Sequence, residues 1–305
     1  MKITQTFDPD AYAWLARALD AIPSSLDLAR LPGSTSSSLF LVQFMRGRQA
    51  QRFVLRVLDN VEWLANEPDL AVHEAAALDE AQKAGLAAPR LVACAADDVG
   101  FGAPAVLMSF IEGRIELAPA DFQAWLRGLA GALALIHQHP AHGFPWRFRS
   151  WVKRATLAPP AWTTIPRAWE RAIERVCGPE PAAPLVFIHR DYHPANVLWQ
   201  GGAVSGVVDW INACQGPAGV DVAHCRTNLA LMVGPSAADQ FLEAYAKADP
   251  GFTHDPYWDL DSLLDMCLPE PTFYPPWQDF GLDFLGPEML ALRVDAYLES
   301  VMQHR

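Results

Sequence analysis

Cysteine is scarce in this chain: five occur in 305 residues, at positions 94, 177, 214, 225 and 267, an odd number with no C-x-x-C pair. That excludes a disulfide framework and a thiolate zinc site as organising devices, and it suits a reducing compartment. Positive charge is also short, with 23 Lys and Arg against 35 Asp and Glu and a formal net charge of -12. A general nucleic-acid surface needs clustered cations that displace counterions from phosphates, so no nucleic-acid partner is expected. Long apolar runs are missing as well. The stretch 128–136 falls far below the roughly 20 residues that cross a bilayer, and the opening MKITQTFDPD has no apolar segment of the secretory type. The expectation is a soluble, cytoplasmic protein with no membrane partner. No internal repeat or low-complexity tract occurs either. What is present is apolar bulk: 51% of the residues are hydrophobic, enough for one large or two modest domains with a substantial core.

Local patterns divide the chain in two. Asp8 with Pro9 predicts the start of a helix running to Leu19. The strings Leu39-Phe40-Leu41-Val42 and Arg52-Phe53-Val54-Leu55-Arg56-Val57 predict a hairpin. An Ala- and Leu-rich helix is expected over 69–85, and short strands near 91–93 and 105–108. Beyond Glu112-Gly113 the periodicity turns helical, over 120–137, 166–176, 220–232, 237–247 and 287–302. The predicted fold class is α+β and bilobal. A small β-rich N-terminal lobe occupies 1–108, a larger mainly helical C-terminal lobe occupies 109–305, and a hinge near 108–113 leaves a ligand-holding cleft between them.

The densest chemistry lies at 189–196, H-R-D-Y-H-P-A-N, between the apolar strand Leu185-Val186-Phe187-Ile188 and a strand resuming at Val197. Gly201-Gly202 then turns the chain into Val204-Ser205-Gly206-Val207-Val208, which ends at Asp209. Phosphoryl transfer needs a carboxylate that orients and accepts the proton of the attacking hydroxyl. It also needs oxygen ligands that hold magnesium against nucleotide phosphates. Asp191 fits the first role, Asn196 and Asp209 the second. The alternative treats Asp191 and Asn196 as loop residues that satisfy backbone groups and Asp209 as a cap, and the coordinated spacing of the three argues against it. His189 is read as a hydrogen-bonded strut, and His193 as a residue that shapes the loop.

With these residues in view, the chain resembles the aminoglycoside phosphotransferase and choline kinase family, relatives of the protein kinases that phosphorylate small molecules. The likeness is strongest over 186–223, where I-H-R-D-Y-H-P-A-N-V-L-W, V-V-D-W and G-P-A-G-V-D-V-A follow the family's order. It implies a protein-kinase-like fold, ATP and Mg2+ as cofactors, and a small-molecule acceptor bearing a hydroxyl. Asp221 is expected to cap and anchor the helix that follows it. In the N-terminal lobe, Gly33, Ser34, Thr35 and Ser36 resemble a phosphate-covering turn. Arg56 resembles the phosphate-binding cation, although the commoner residue there is Lys, and Glu74 its helical partner. Glu74 shares an apolar helix face with Ala71, Ala75, Leu78 and Ala81, where an unpaired carboxylate is costly, so a buried cation should meet it. Backbone groups around Ser109 and Phe110 resemble an adenine-reading hinge.

Only the run 210–220 separates Asp209 from a helix start near Asp221, and no Ala-Pro-Glu occurs. That leaves no room for the activation segment of a protein kinase, and a small-molecule acceptor is favoured. Asp255, Asp259, Asp261, Asp265, Glu270 and Asp279 lie among Tyr257, Trp258, Phe273, Tyr274, Trp277 and Phe280. This mixture suits a cationic acceptor such as an aminoglycoside or a choline-like amine, but the favoured reading is a solvated acidic face with aromatics packed into the core. The alternative function is a catalytically weak or inactive kinase-fold nucleotide-binding protein. The sequence does not settle the oligomeric state.

Overall fold

The structure, a computed structural model, describes residues 7–32, 36–271, 277, 282 and 285–303. They fall into two compact units, Met1–Glu112 with Val208–Asn212, and Gly113–Val207 with Ala213–Arg305.

The first unit is β-rich. Helix α1 (Pro9–Leu19) begins at Pro9, whose fixed φ suits the first helical turn. Asp8 sits at the N-cap in extended backbone, but its side chain makes no cap hydrogen bond. Strands β1 (Asp27–Leu31), β2 (Ser38–Arg46) and β3 (Gln49–Val57) follow, then α2 (Val61–Asn66), α3 (Leu70–Lys83), β4 (Leu91–Ala95) and β5 (Ala105–Ser109). The sheet is antiparallel, ordered β1-β2-β3-β5-β4. A tight turn joins β2 to β3, pairing Arg46 with Gln49, and Gly47 supplies its positive φ of 64°. Alternation sends Phe40, Val42, Phe44, Leu55 and Val57 to a core shared with Ala11, Leu15 and Leu19 of α1. Burying each large side chain there contributes about 1.5–3 kcal/mol. Arg56, between Leu55 and Val57 on β3, takes the opposite face of the sheet. Helix α3 stops at Gly85, where φ is 70° and Leu86 N closes back on Ala81 O at 3.0 Å.

The second unit is mainly helical. It contains β6 (Arg114–Ile115), α4 (Phe122–His137), α5 (Pro166–Cys177), β7 (Leu185–Ile188), β8 (Val197–Gln200), β9 (Ala203–Val207), β10 (Cys214–Pro217), α6 (Ala218–Met232), α7 (Pro235–Ala248), α8 (Pro256–Cys267) and α9 (Pro287–Gln303). Strand β7 pairs with β10, and β8 with β6 and β9. Helix α6 is the centre, buried on nearly every side by α4, α7, α8 and α9. An all-round buried helix has no polar face to declare it, and its start at Ala218 precedes the expected one. Gly219 permits its close packing, since a Cβ there would lie 2.4 Å from the Trp258 ring.

Five elements go beyond the sequence expectation, the two-residue strand β6 among them. Strand β1 is a polar-flanked edge strand, and α2 is six residues long, begun by the Asn60 side chain accepting Trp63 N at 3.0 Å. Strand β10 is short, and α8 carries three Asp that hide its apolar period. Among the described residues no helix is long and apolar enough to cross a membrane.

Candidate active site

The loop 189–196 is held from several sides. Asp221, in the first turn of α6, accepts the backbone N–H of His189 through Oδ2 and of Arg190 through Oδ1, both at 2.7 Å. Its Oδ2 also lies 3.1 Å from His137 Nε2, and His137 Nδ1 meets the Tyr245 hydroxyl at 2.6 Å. Burial works against the Asp221 charge, but the bond from His137, the nearby imidazoles and the backbone N–H of His189 outweigh it and hold the carboxyl below its usual range. Asp221 therefore braces the loop. The expectation that it caps its own helix is corrected, because its side chain makes no cap bond to α6. The clasp supports strained backbone, as Arg190 is non-glycine with φ 71°. Tyr192, fully buried, anchors the loop by donating to Leu129 O at 2.8 Å.

Asp191 is half-buried. Its Oδ1 lies 3.0 Å from His224 Nε2 and 3.8 Å from His193 Nε2. His193 Nδ1 accepts Ala195 N–H at 3.3 Å, which puts the ring hydrogen of a neutral imidazole on Nε2. Burial raises the cost of the Asp191 charge, yet the hydrogen bond from His224 and the imidazoles of His193, His224 and His189 reverse the balance. The carboxyl stays well below its ordinary range and remains an anion. Asn196 closes the loop by donating Nδ2 to Asp191 O at 2.9 Å and reaching Asp191 Oδ2 at 3.4 Å. With the amide nitrogen so committed, the amide oxygen is the group it offers to a metal.

On the first unit, Arg56 Nε lies 3.2 Å from Glu74 Oε1, and Arg56 Nη2 lies 2.8 Å from Asp209 Oδ1. A buried cation thus meets the Glu74 carboxylate. Burial pushes the Glu74 carboxyl up to about 7, against the pull of Arg56 and with an added push from Asp209. Asp209 is a second non-glycine with positive φ, 69°, and its side chain stays 31% exposed, so the carboxylate remains within reach of a ligand. Among the described residues no three His, Cys, Asp or Glu side chains gather to hold a metal alone. Magnesium takes one or two protein oxygens and completes its shell with phosphate and water, and the Asn196 amide oxygen and Asp209 carboxylate are donors of the kind it uses.

The other expected site residues are more scattered. Ser109 donates its N–H to Arg90 O and accepts Arg90 N–H on Oγ, both at 2.9 Å, so neither group is spare for an adenine edge. The Phe110 ring lies under the Arg52 guanidinium at 4.6 Å, and Arg52 pairs with Glu112. Ser36 is half-buried just before β2, whereas Gly33, Ser34 and Thr35 lie outside the described residues.

The acidic and aromatic C-terminal stretch separates into different jobs. Asp259 is fully buried and taken by Arg226, His254 and Tyr297. Asp255 caps α8 by accepting Tyr257 N at 2.9 Å, and Tyr257, Trp258 and Trp277 are buried. Asp261 accepts from Ser150 Oγ at 2.7 Å. Asp265 is half-buried on α8, its carboxyl raised by burial and opposed by Arg190 and His224. The Arg190 guanidinium stacks 3.7 Å from the half-exposed Trp151 ring. Phe273, Tyr274, Asp279 and Phe280 lie outside the described residues. His224 was not singled out in the sequence. Its signal is helical spacing, because it follows Asp221 by three positions and shares that residue's face.

Known proteins resemble this chain in sequence or in fold. A model of the phosphotransferase enzyme family matches residues 27–258. A homoserine kinase from Chelativorans sp. (strain BNC1) is 31% identical over 143 residues, 41% of this chain and 41% of that enzyme. The chain spans about half or less of the length of the curated relatives it matches. Two solved structures share the fold at low identity. One is a thermostable mutant of aminoglycoside phosphotransferase APH(4)-Ia in ternary complex with ADP and hygromycin B, with TM-score 0.62 and 16% identity, covering 95% of this chain and 98% of that one. The other is choline kinase from Cryptosporidium parvum Iowa II, with TM-score 0.54 and 13% identity, covering 97% and 95%.

Proposed function

The chain belongs to the phosphotransferase enzyme family, and from that premise we propose that it moves the γ-phosphate of ATP to a hydroxyl of a small molecule. The observation that carries this reading is the Asp191 carboxylate, held as an anion by imidazole N–H groups inside a loop clasped by Asp221. In this role Asp191 accepts the hydroxyl proton and aligns the oxygen for attack. Asn196 and Asp209 are the magnesium ligands, the ion neutralising charge on the phosphates when bound. Arg56, braced by Glu74, serves as the phosphate cation, since a guanidinium forks between oxygen pairs. Gly33, Ser34, Thr35 and Ser36 are assigned to the phosphates, and of the pair Ser109 and Phe110 the backbone of Phe110 is the one assigned to the base, because the Ser109 N–H is taken by Arg90 O. In this reading residues 1–108 form the nucleotide lobe and 109–305 the catalytic and acceptor lobe. The five cysteines form no disulfide, which supports a cytoplasmic location.

The acceptor we favour is an amine-bearing alcohol. Support comes from Asp261 and Asp265 near Arg190, and from the named substrates of relatives, homoserine and hygromycin B. A second reading, a kinase fold that binds nucleotide with little turnover, draws on one observation. Arg56 is held by the Asp209 carboxylate, so the presumed phosphate cation is already engaged.

The test supplies ATP, magnesium and a panel of aminoglycosides, amino alcohols, macrolides and sugars, and follows ADP release in the wild type and in Asp191→Asn. Stimulated release that disappears in the variant is expected. Equal background in both proteins with every acceptor would establish the second reading instead.

A further inference from the structure

We infer that His224 is a positioning residue for the base, fixing which oxygen of Asp191 faces the acceptor hydroxyl. The inference rests on the phosphotransferase reading above. A carboxylate turns readily about its last side-chain bond, because sp³–sp² torsions are broad and nearly two-fold. In this loop the two oxygens are not equivalent. Oδ1 lies 3.0 Å from His224 Nε2 and 3.8 Å from His193 Nε2, while Oδ2 lies 3.4 Å from Asn196 Nδ2. His224 Nε2 is within hydrogen-bond distance of Oδ1 and His193 Nε2 stands further off toward the same oxygen, which turns Oδ2 to the acceptor as the oxygen that receives the hydroxyl hydrogen.

The two histidines reach this oxygen differently. His193 belongs to the loop, and its ring is oriented by the Ala195 N–H, so it moves with Asp191. His224 stands on α6, one helical turn beyond Asp221, which clasps the backbone of His189 and Arg190. The same rigid helix therefore fixes both the loop backbone and the base's side chain. The imidazole rings stand 5.9 Å apart and tilted by 54°, so they approach Oδ1 from different directions without stacking. His224 is nearly buried, with 12% of its side chain exposed, and a bond to a part-exposed carboxylate there is shielded from competing water.

The experiment compares wild type, His224→Leu, His224→Gln and Asp191→Asn on the acceptor that stimulates ADP release most, with Mg-ATP affinity and melting temperature measured alongside. His224→Leu is expected to lower kcat by about 10- to 100-fold, the scale of a misplaced reacting group, with both KM values nearly unchanged. His224→Gln, which keeps a terminal N–H donor, should recover most of that loss. His224→Leu should add little further loss in an Asp191→Asn background, because the effect runs through Asp191. A kcat within two-fold of wild type in His224→Leu, with Asp191→Asn inactive, overturns this inference and leaves the phosphotransferase reading intact. A glutamine variant that binds Mg-ATP and melts like wild type but is as slow as the leucine variant also overturns it. Absence of any Asp191-dependent turnover overturns both.

Discussion

Asp221 Oδ1 accepts the backbone N–H of Arg190 at 2.7 Å, at a residue whose φ of 71° is unfavourable for any side chain but glycine. The bond ties the strained turn of the loop 189–196 to the central helix α6. Because the same carboxylate also serves His189 N and His137, its loss strands several buried donors at once.

Asp221→Ala is accordingly expected to reduce unfolding free energy by about 3–5 kcal/mol, the range for breaking a buried charged network. Urea unfolding followed by tryptophan fluorescence measures it. A loss below about 1 kcal/mol would show that the clasp is not a structural support.

Arg56 forks between Glu74 and Asp209, so substitution there should affect nucleotide binding before acceptor binding. Arg56→Ala is expected to raise KM for ATP at least about 10-fold, the scale of one lost charge-assisted contact. Arg56→Lys should fall between, since an ammonium cannot hold both carboxylates in one plane. Separate titrations of ATP and acceptor give the comparison.

Glu74 gives a pH dependence of defined sign. Its carboxyl rises from the ordinary 4.5 to about 7 in the folded protein, so between these values the folded state holds a proton that the unfolded state has released. Its contribution is therefore fully present below about pH 4.5 and is lost as pH rises through about 7. Wild type should lose about 3 kcal/mol more than Glu74→Gln over that window, at the usual energy per pH unit. Unfolding curves of the nucleotide-free proteins at pH 4.5, 6 and 7.5 provide the measurement, and parallel trends would contradict it.

For the amine-bearing acceptor proposed above, we assign the charge-pairing role to Asp265, half-buried on α8 with Arg190 and His224 in its field. Asp265→Asn should raise KM for an amine-bearing acceptor by about 10-fold, equivalent to one charge-assisted contact, and leave KM for ATP unchanged. An uncharged acceptor analogue should show no such difference.

Much of the fold was legible because its signals are local. The β2–β3 hairpin follows from alternation and Gly47, α3 from its apolar period and Gly85, and Glu74 announced a buried partner by lying on an apolar stripe. The signals failed where burial is decided by distant residues. Helix α8 carries Asp259, whose charge is acceptable only because Arg226 of α6 lies against it. Tyr257 and Trp258 on the same helix fill the core, as the reading of core aromatics expected.

The sequence alone determined which groups can do chemistry and how they are spaced: Asp191, five positions before Asn196 and eighteen before Asp209, between strands that hold a loop rigid. Spacing is a property of a continuous chain and survives in the letters. The tertiary structure alone decided the partners: Asp221 with the backbone of His189 and Arg190, His224 with Asp191, Asp209 with Arg56. Those pairs join residues about 30 to 150 positions apart. Each forms only after burial has excluded water and left a charge no better neighbour.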